Sequence, residues 1–320
     1  MRILLTGGAG FIGSNIAERL VEDERITEVR VLDNLSSGSR QNILNLIKHP
    51  KFAFMWGDIR EYNTCLDACR DIDLVCHQAA LGSVPRSIQF PLTSNNVNIT
   101  GTLNIFVAAK DSGIKRVVYA SSSSTYGDNN SEIKKEEQIG SPISPYAVTK
   151  LVNEYYAKVF SELYNMSFIG LRYFNVFGPK QDPRGQYAAV IPLFIQAILT
   201  RQQPIIYGDG QQSRDFTYIE NVVQANIKAL FESDHLQGHH VFNIACNNSV
   251  TILELFNKLC LLHNCNLSPI FRSKRIGDVK HSLACIDRAR KLLNYAPKVD
   301  IESGLKMTLE WFLKHPDYLE

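Results

Sequence analysis

Through the first half of the chain, short runs rich in β-branched residues alternate with longer stretches in which apolar residues recur every three or four positions. Residues 2–6, 28–32, 52–56, 74–76, 116–120 and 167–172 read as strands, and 11–22, 93–112 and 145–163 read as helices. This alternation predicts an α/β fold. Strand–helix–strand units of this kind build a parallel sheet, and right-handed crossovers place helices on both of its faces, which makes it doubly wound. After about Asn175 the rhythm breaks at glycine and proline clusters around 178–183 and 208–210. The expected organisation is a first domain over 1–175 and a smaller C-terminal mixed α/β domain over 176–320. Segments within 215–246 are expected to return to the first domain, with 241–244 as a strand that rejoins the sheet.

The first strand gives way to the first helix at Thr6-Gly7-Gly8-Ala9-Gly10-Phe11-Ile12-Gly13. Glycines there allow a tight turn and a close backbone approach to a pyrophosphate, and the helix N-terminus offers unpaired N–H groups to the anion. Asp33 stands twenty residues beyond Gly13, at the end of the second predicted strand, where a carboxylate accepts both hydroxyls of an adenosine ribose. The same charge repels a 2′-phosphate, so the pattern predicts a Rossmann-type domain for NAD rather than NADP. Gly7, Gly10, Phe11, Ile12 and Gly13 are the expected phosphate-side residues. Asp33 with Asn34 serves the ribose, and Asp58-Ile59 flanks the adenine.

Candidate chemistry follows in Pro145-Tyr146-Ala147-Val148-Thr149-Lys150, where a tyrosine and a lysine four residues apart share one helix face. For Tyr146 to accept a proton near neutral pH its pKa must fall by roughly three units from about 10, or about 4 kcal/mol. The Lys150 ammonium and an oxidised nicotinamide are the cations expected to supply this. The serine run 121–124, followed by Thr125-Tyr126-Gly127, ends the fifth predicted strand, and such strand ends face the cofactor crevice.

Composition narrows the classes. The net charge of +2 has no long basic run behind it, which argues against nucleic acid as a partner. The opening apolar run is too short for a signal peptide, and no stretch approaches the ~20 apolar residues of a membrane span, so a cytoplasmic location is expected. Cysteines at 65, 69, 76, 246, 260, 265 and 285 form no CxxC pair, which points to buried reduced thiols rather than disulfides or a metal site.

Together TGGAGFIG, Asp33, the serine cluster before TYG, YAVTK and RYFNVFGP resemble the extended short-chain dehydrogenase/reductase family over nearly the whole chain. Within it, SSSSTYGD, SPYAVTK, GLRYFNVFGP, SRDFTYIENV and GDVKHS look most like bacterial UDP-N-acetylglucosamine 4-epimerases. That resemblance implies an NAD-dependent isomerase acting on a UDP-sugar through a transient 4-keto intermediate. It makes Tyr146 the base, Lys150 its partner and nicotinamide-ribose ligand, and Ser122 the holder of the sugar O4, with Ser123 and Ser124 able to share that task. Ala79, Ala80, Asn98 and Tyr173 fall around the cofactor, and Ser83, Asn175, Tyr207, Gln211, Arg214, Arg275 and Asp278 around the nucleotide sugar. Ser282 stands where galactose-specific relatives resemble one another in carrying tyrosine, and its small side chain implies room for an acetamido group. A homodimer through a four-helix bundle and a place in cell-envelope polysaccharide synthesis are implied in the same way.

A 4,6-dehydratase needs an Asp-Glu pair where this chain has Ser123-Ser124. A UDP-glucuronate (or N-acetylated uronate) 4-epimerase or decarboxylase stays open, because one arginine placed for a carboxylate redirects substrate choice. A non-catalytic NAD sensor would have no use for a tyrosine and lysine kept at helical spacing beside a serine cluster.

Overall fold

A computed structural model describes residues 1–184, 188–273 and 281–319. Its centre is a parallel sheet of seven strands: β1 (Arg2–Thr6), β2 (Glu28–Asp33), β3 (Phe52–Trp56), β4 (Leu74–His77), β5 (Arg116–Ser122), β6 (Ser167–Tyr173) and β7 (His239–Ile244). They lie in the order β3-β2-β1-β4-β5-β6-β7. Period-two alternation explains why the strands are apolar on both sides. Ile3 and Leu5 pack into one core with α1 (Phe11–Val21), whereas Leu4 between them packs into a second core with α2 (Tyr62–Cys69) and α5 (Thr102–Asp111). The order reverses between β1 and β4, and a crevice opens at the carboxyl ends of the strands there, as open α/β sheets require.

The expected helix over 93–112 is interrupted. The chain forms α3 (Val84–Gln89) and α4 (Pro91–Asn95), then one π-helical turn at Asn96–Gly101, and only then α5. The turn points Asn98 inward, where its amide accepts from Leu81 N–H at 2.8 Å and donates to Leu81 O at 3.0 Å. Apolar spacing continues across the interruption, so periodicity alone runs straight through it. By contrast α6 (Pro145–Tyr164) starts with the Ser144 side chain capping Ala147 N–H and Pro145 in the first turn.

The 241–244 segment lies within β7, paired with β6 at the sheet edge. The helix Ile219–Phe231 adds Val222 and Leu230 to the core that contains α1. Traffic also runs the other way: Ile133–Lys134 joins a four-stranded sheet with His281–Ala284, Ser213–Asp215 and Ser249–Thr251. Three cysteines, Cys65, Cys69 and Cys76, are buried, while Cys246, Cys260, Cys265 and Cys285 are only half-buried: Cys246, Cys265 and Cys285 lie just beyond the ends of elements, and Cys260 lies off the buried face of the helix Ile252–Leu262. All seven are free. Among the described residues no helix is long and apolar enough to cross a membrane.

Candidate active site

A crevice of about 300 Å³ runs over the ends of β1, β2, β3 and β4, lined by Gly7, Gly10, Phe11, Ile12, Gly13, Asp33, Asn34, Asp58, Ile59, Ala79 and Ala80. Leu32, Ser36, Ser37, Gly38, Gly57, Gln78, Leu81, Gly82 and Val97 complete its wall; no motif marked these, since most reach the crevice by folding rather than by spacing. Gly7 has φ +70°, and a Cβ there would stand 2.7 Å from the Ala79 backbone. A Cβ on Gly13 would lie 2.1 Å from Gly7 O. Gly10 caps α1 without a side-chain bond, which leaves the first-turn N–H groups facing the crevice. Asp33 is buried and accepts Ala9 N–H at 2.9 Å and Leu35 N–H at 2.8 Å, so the carboxylate fixes the glycine turn against β2. Burial pushes its carboxyl up, against those two bonds. Asp58 is held near 2 by the Arg60 guanidinium and accepts Asn34 Nδ2 at 2.8 Å. This set fits a dinucleotide: a side-chain-free cradle, an open helix end and a carboxylate at the ribose position.

Two expected cofactor residues are placed behind the wall. Asn98 is fully buried and spends its amide on Leu81 and on Thr149 Oγ1. Tyr173 donates to Gln78 Oε1 at 3.0 Å and accepts Asn226 Nδ2 at 2.9 Å, and Gln78 in turn lines the crevice.

Tyr146 and Lys150 leave the same face of α6, with Lys150 Nζ 5.9 Å from the centre of the Tyr146 ring. Ser87, which the sequence did not mark, accepts Tyr146 N–H at 3.0 Å and fixes the helix start. Lys150 is buried and donates to Ala120 O on β5 at 2.8 Å. Burial lowers its ammonium to about 8, with Glu154 acting in the opposite direction. Burial raises the Tyr146 phenol, and the hydrogen bond to Ser122 pulls it down. The depressed phenol expected from the sequence is therefore not a property of the protein alone, since desolvation outweighs the hydroxyl. Ser122 ends β5 and accepts Ser124 N–H at 3.1 Å, while Ser123 opens the 3₁₀ turn Ser123–Tyr126.

A second cavity of about 520 Å³ adjoins the C-terminal elements and is lined by Asn175, Tyr207, Arg214, Gln212, Phe194 and Phe216, among others. Gln211 is exposed and outside it. Its neighbour Gln212 lines the wall and donates to Tyr207 O at 2.7 Å. Arg214 pairs across the small sheet with half-buried Ser282. Asp215, the next residue on the Arg214 strand, is fully buried. Burial pushes its carboxyl up to about 7 against backbone bonds from Cys246, Ala284, Asn248 and Asn247, while its carbonyl accepts Asn175 Nδ2 at 2.9 Å. Ser83 caps α3 at φ +88°, accepting Arg86 N–H. Arg275 and Asp278 lie outside the described residues.

Known proteins resemble this chain over its full length. A UDP-N-acetylglucosamine 4-epimerase from Methanobrevibacter ruminantium, solved with UDP-N-acetylmuramic acid, superposes with a TM-score of 0.92 at 42% identity over 98% of each chain. A UDP-glucuronic acid 4-epimerase from Bacillus cereus, solved with NAD and a fluorinated UDP-glucuronic acid, gives 0.91 at 30% identity over 98% of this chain and 100% of that one. A putative UDP-glucose 4-epimerase of Methanocaldococcus jannaschii is 36% identical over 97% of both chains. Residues 3–245 match the model of one family, and with the glycine cradle and the Tyr146–Lys150 face in place the chain belongs to the NAD dependent epimerase/dehydratase family.

Proposed function

We propose that this chain is an NAD-dependent UDP-sugar 4-epimerase whose preferred substrates are UDP-N-acetylglucosamine and UDP-N-acetylgalactosamine. The observation that carries the proposal is the convergence of Tyr146 and Lys150 from α6 with Ser122 from β5 beside the glycine-lined crevice. NAD, when bound, supplies a reversible two-electron acceptor for the sugar C4. Tyr146 Oη takes the proton of the C4 hydroxyl and returns it to the opposite configuration. Ser122 Oγ holds O4 in reach of that phenol, and Ser123 flanks it. The Lys150 ammonium, fixed by Ala120 O, stabilises the Tyr146 phenolate that must stand ready to take this proton, and the positive charge of oxidised NAD would act in the same direction.

On the substrate side, Arg214 is the guanidinium for the diphosphate, with Asn175 and Tyr207 in the same cavity. Ser282, beside Arg214 in register, leaves volume for an acetamido group. Incubation with a panel of UDP-sugars, including UDP-glucuronate, and NMR of the products tests this: interconversion at C4 of the N-acetylated pair is expected. Conversion of the uronate alone would transfer the reading to that substrate, and no conversion of any would end it.

The helices α5 and α6 are proposed to pair with those of a second copy. Tyr155, Val159 and Leu163 are 56%, 46% and 68% exposed along α6 at spacings of four, an apolar stripe without a partner in the single chain. Light scattering is expected to give a dimer, and Tyr155→Glu a monomer.

A further inference from the structure

Beneath the reacting groups lies an ion pair that the proton transfer above does not use. Glu154 follows Lys150 by one turn of α6 and is 5% exposed; Arg172 on β6 is 3% exposed. Arg172 Nε donates to Oε1 at 2.9 Å and Nη2 to Oε2 at 2.7 Å, a two-pronged grip. Oε1 also accepts Ser121 Oγ at 2.5 Å, and Ser121 immediately precedes Ser122. On its other side Arg172 donates to Glu136 O at 3.0 Å and lies 4.9 Å over the Tyr126 ring, at the end of the serine turn. One carboxylate thus joins three elements: the strand that ends in the serine, the strand beside it, and the helix that carries tyrosine and lysine.

Stability alone is a poor reason for such a pair. Desolvation offsets most of the attraction, and apolar replacements of buried pairs are often neutral or stabilising. The placement suggests a different use. We infer that Glu154 is a positioning residue for the proposed epimerisation, locking the Ser122 end of β5 to the Tyr146–Lys150 face of α6 and setting a negative charge against the Lys150 ammonium. This rests on the proposed function for its kinetic readout only.

The other titratable groups packed around Lys150 leave this role to Glu154. His77 on β4 is driven down to about 3 by burial and His239 on β7 to about 4, so both are neutral. Tyr119 on β5, Tyr126 on the serine turn and Tyr146 on α6 are all raised by burial and carry no charge in the protein without NAD, the state in which the resonance below is read. Among the described residues, Glu154 is the charge that raises the Lys150 ammonium, with Arg172 and Glu136 beyond it. Loss of Glu154 leaves burial, which lowers the ammonium, unopposed.

The test follows the Lys150 ε-carbon resonance of lysine-labelled protein against pH, assigned by its disappearance in Lys150→Met. Glu154→Gln is expected to lower its midpoint by about one pH unit or more, the range for loss of a nearby opposite charge. The alkaline limb of kcat should move with it. Glu154→Asp, which keeps the charge, should return the midpoint towards that of the wild type. Because Glu154→Gln strands a buried guanidinium, the same substitution is also made in an Arg172→Met background, where no unpaired cation remains, and there too it should lower the midpoint. An unmoved midpoint in both backgrounds overturns the inference. Ser121→Ala, which cuts the tether but leaves both charges, should lower kcat with the midpoint near that of the wild type; a shift there equal to that of Glu154→Gln, with kcat unchanged, also overturns the inference. The resonance is read without substrate, so failure of the epimerase reading shows separately, as absent turnover in the wild type.

Discussion

The cofactor side and the substrate side of this site are built on opposite plans. On the cofactor side one contiguous turn, Gly7 to Gly13, does most of the work by having no side chains, and Asp33 closes it with two bonds to backbone N–H groups. On the proposed substrate side Asn175, Arg214 and Ser282 come from distant stretches, on or beside strands of two to four residues, and Asp215 ties the surrounding segments together, its carboxyl accepting backbone bonds from 246–248 and 284 and its main-chain carbonyl accepting Asn175 Nδ2. The first plan depends on what the backbone leaves empty. The second depends on one buried carboxyl, and the two should therefore fail differently.

The largest failure is expected at Gly13→Ala, since the new methyl would meet Gly7 O at 2.1 Å with no flexible side chain to give way. NAD affinity measured by calorimetry should vanish or the protein should not fold; retained binding would mean that the turn is not the cradle. Tyr146→Phe should next cut turnover by about 10²- to 10⁴-fold while NAD affinity and the melting temperature stay near wild type. Full retained activity would refute its assignment as the base.

Asp215→Ala sharpens the contrast from the other side. It should raise KM for the UDP-sugar by about tenfold or more and leave NAD affinity unchanged, because the gathered segments all lie on the substrate side. Ser282→Tyr should discriminate by roughly 10- to 200-fold against N-acetylated sugars relative to the plain ones, the scale of a pocket rejecting a bulky group. Equal turnover of both would show that residue 282 does not set the pocket.

The smallest effect is graded by pH. Lys150 titrates at about 8, so catalysis that needs its ammonium should fall through that value as pH rises. The sign for folding is the reverse. A cation whose pKa falls from 10.5 in the unfolded chain to about 8 in the fold is penalised while charged, and its contribution to stability grows as pH rises from about 8 towards 10.5. An alkaline loss of rate should therefore come without a matching loss attributable to this group in the melting temperature.

Legibility in the sequence follows the same division. Strands β1 and β3 end where their apolar runs meet glycine or a terminus, and the expected bounds of 2–6 and 52–56 are those observed. The glycine turn, Asp33, Tyr146 and Lys150 all lie within motifs whose spacing encodes their geometry. The substrate side offered no such spacing. In Ser213–Asp215 a three-residue strand gives too little alternation to say which side chain faces in, and just before it Gln212 lines the cavity while Gln211 is exposed. Asp215 looked like one more letter of SRDFTYIENV, because a residue that works through backbone amides of other segments has no local signature. Resemblance puts Asn98 and Tyr173 around the cofactor, and the coordinates place them behind the crevice, where they brace its wall through Leu81 and Gln78.

The π-helical turn at Asn96–Gly101 carries a further consequence for how the chain can vary in length. Such a turn holds more residues than the α-helical one it replaces, so removing a single residue would relax it into ordinary helix at little cost to local bonding. The same deletion would swing the Asn98 amide round the axis, unlatch Leu81 and let one bank of the cofactor channel drift. Trimming is therefore cheap for the helix and ruinous for its neighbour, which makes this stretch a place where sequence length, rather than composition, is under constraint.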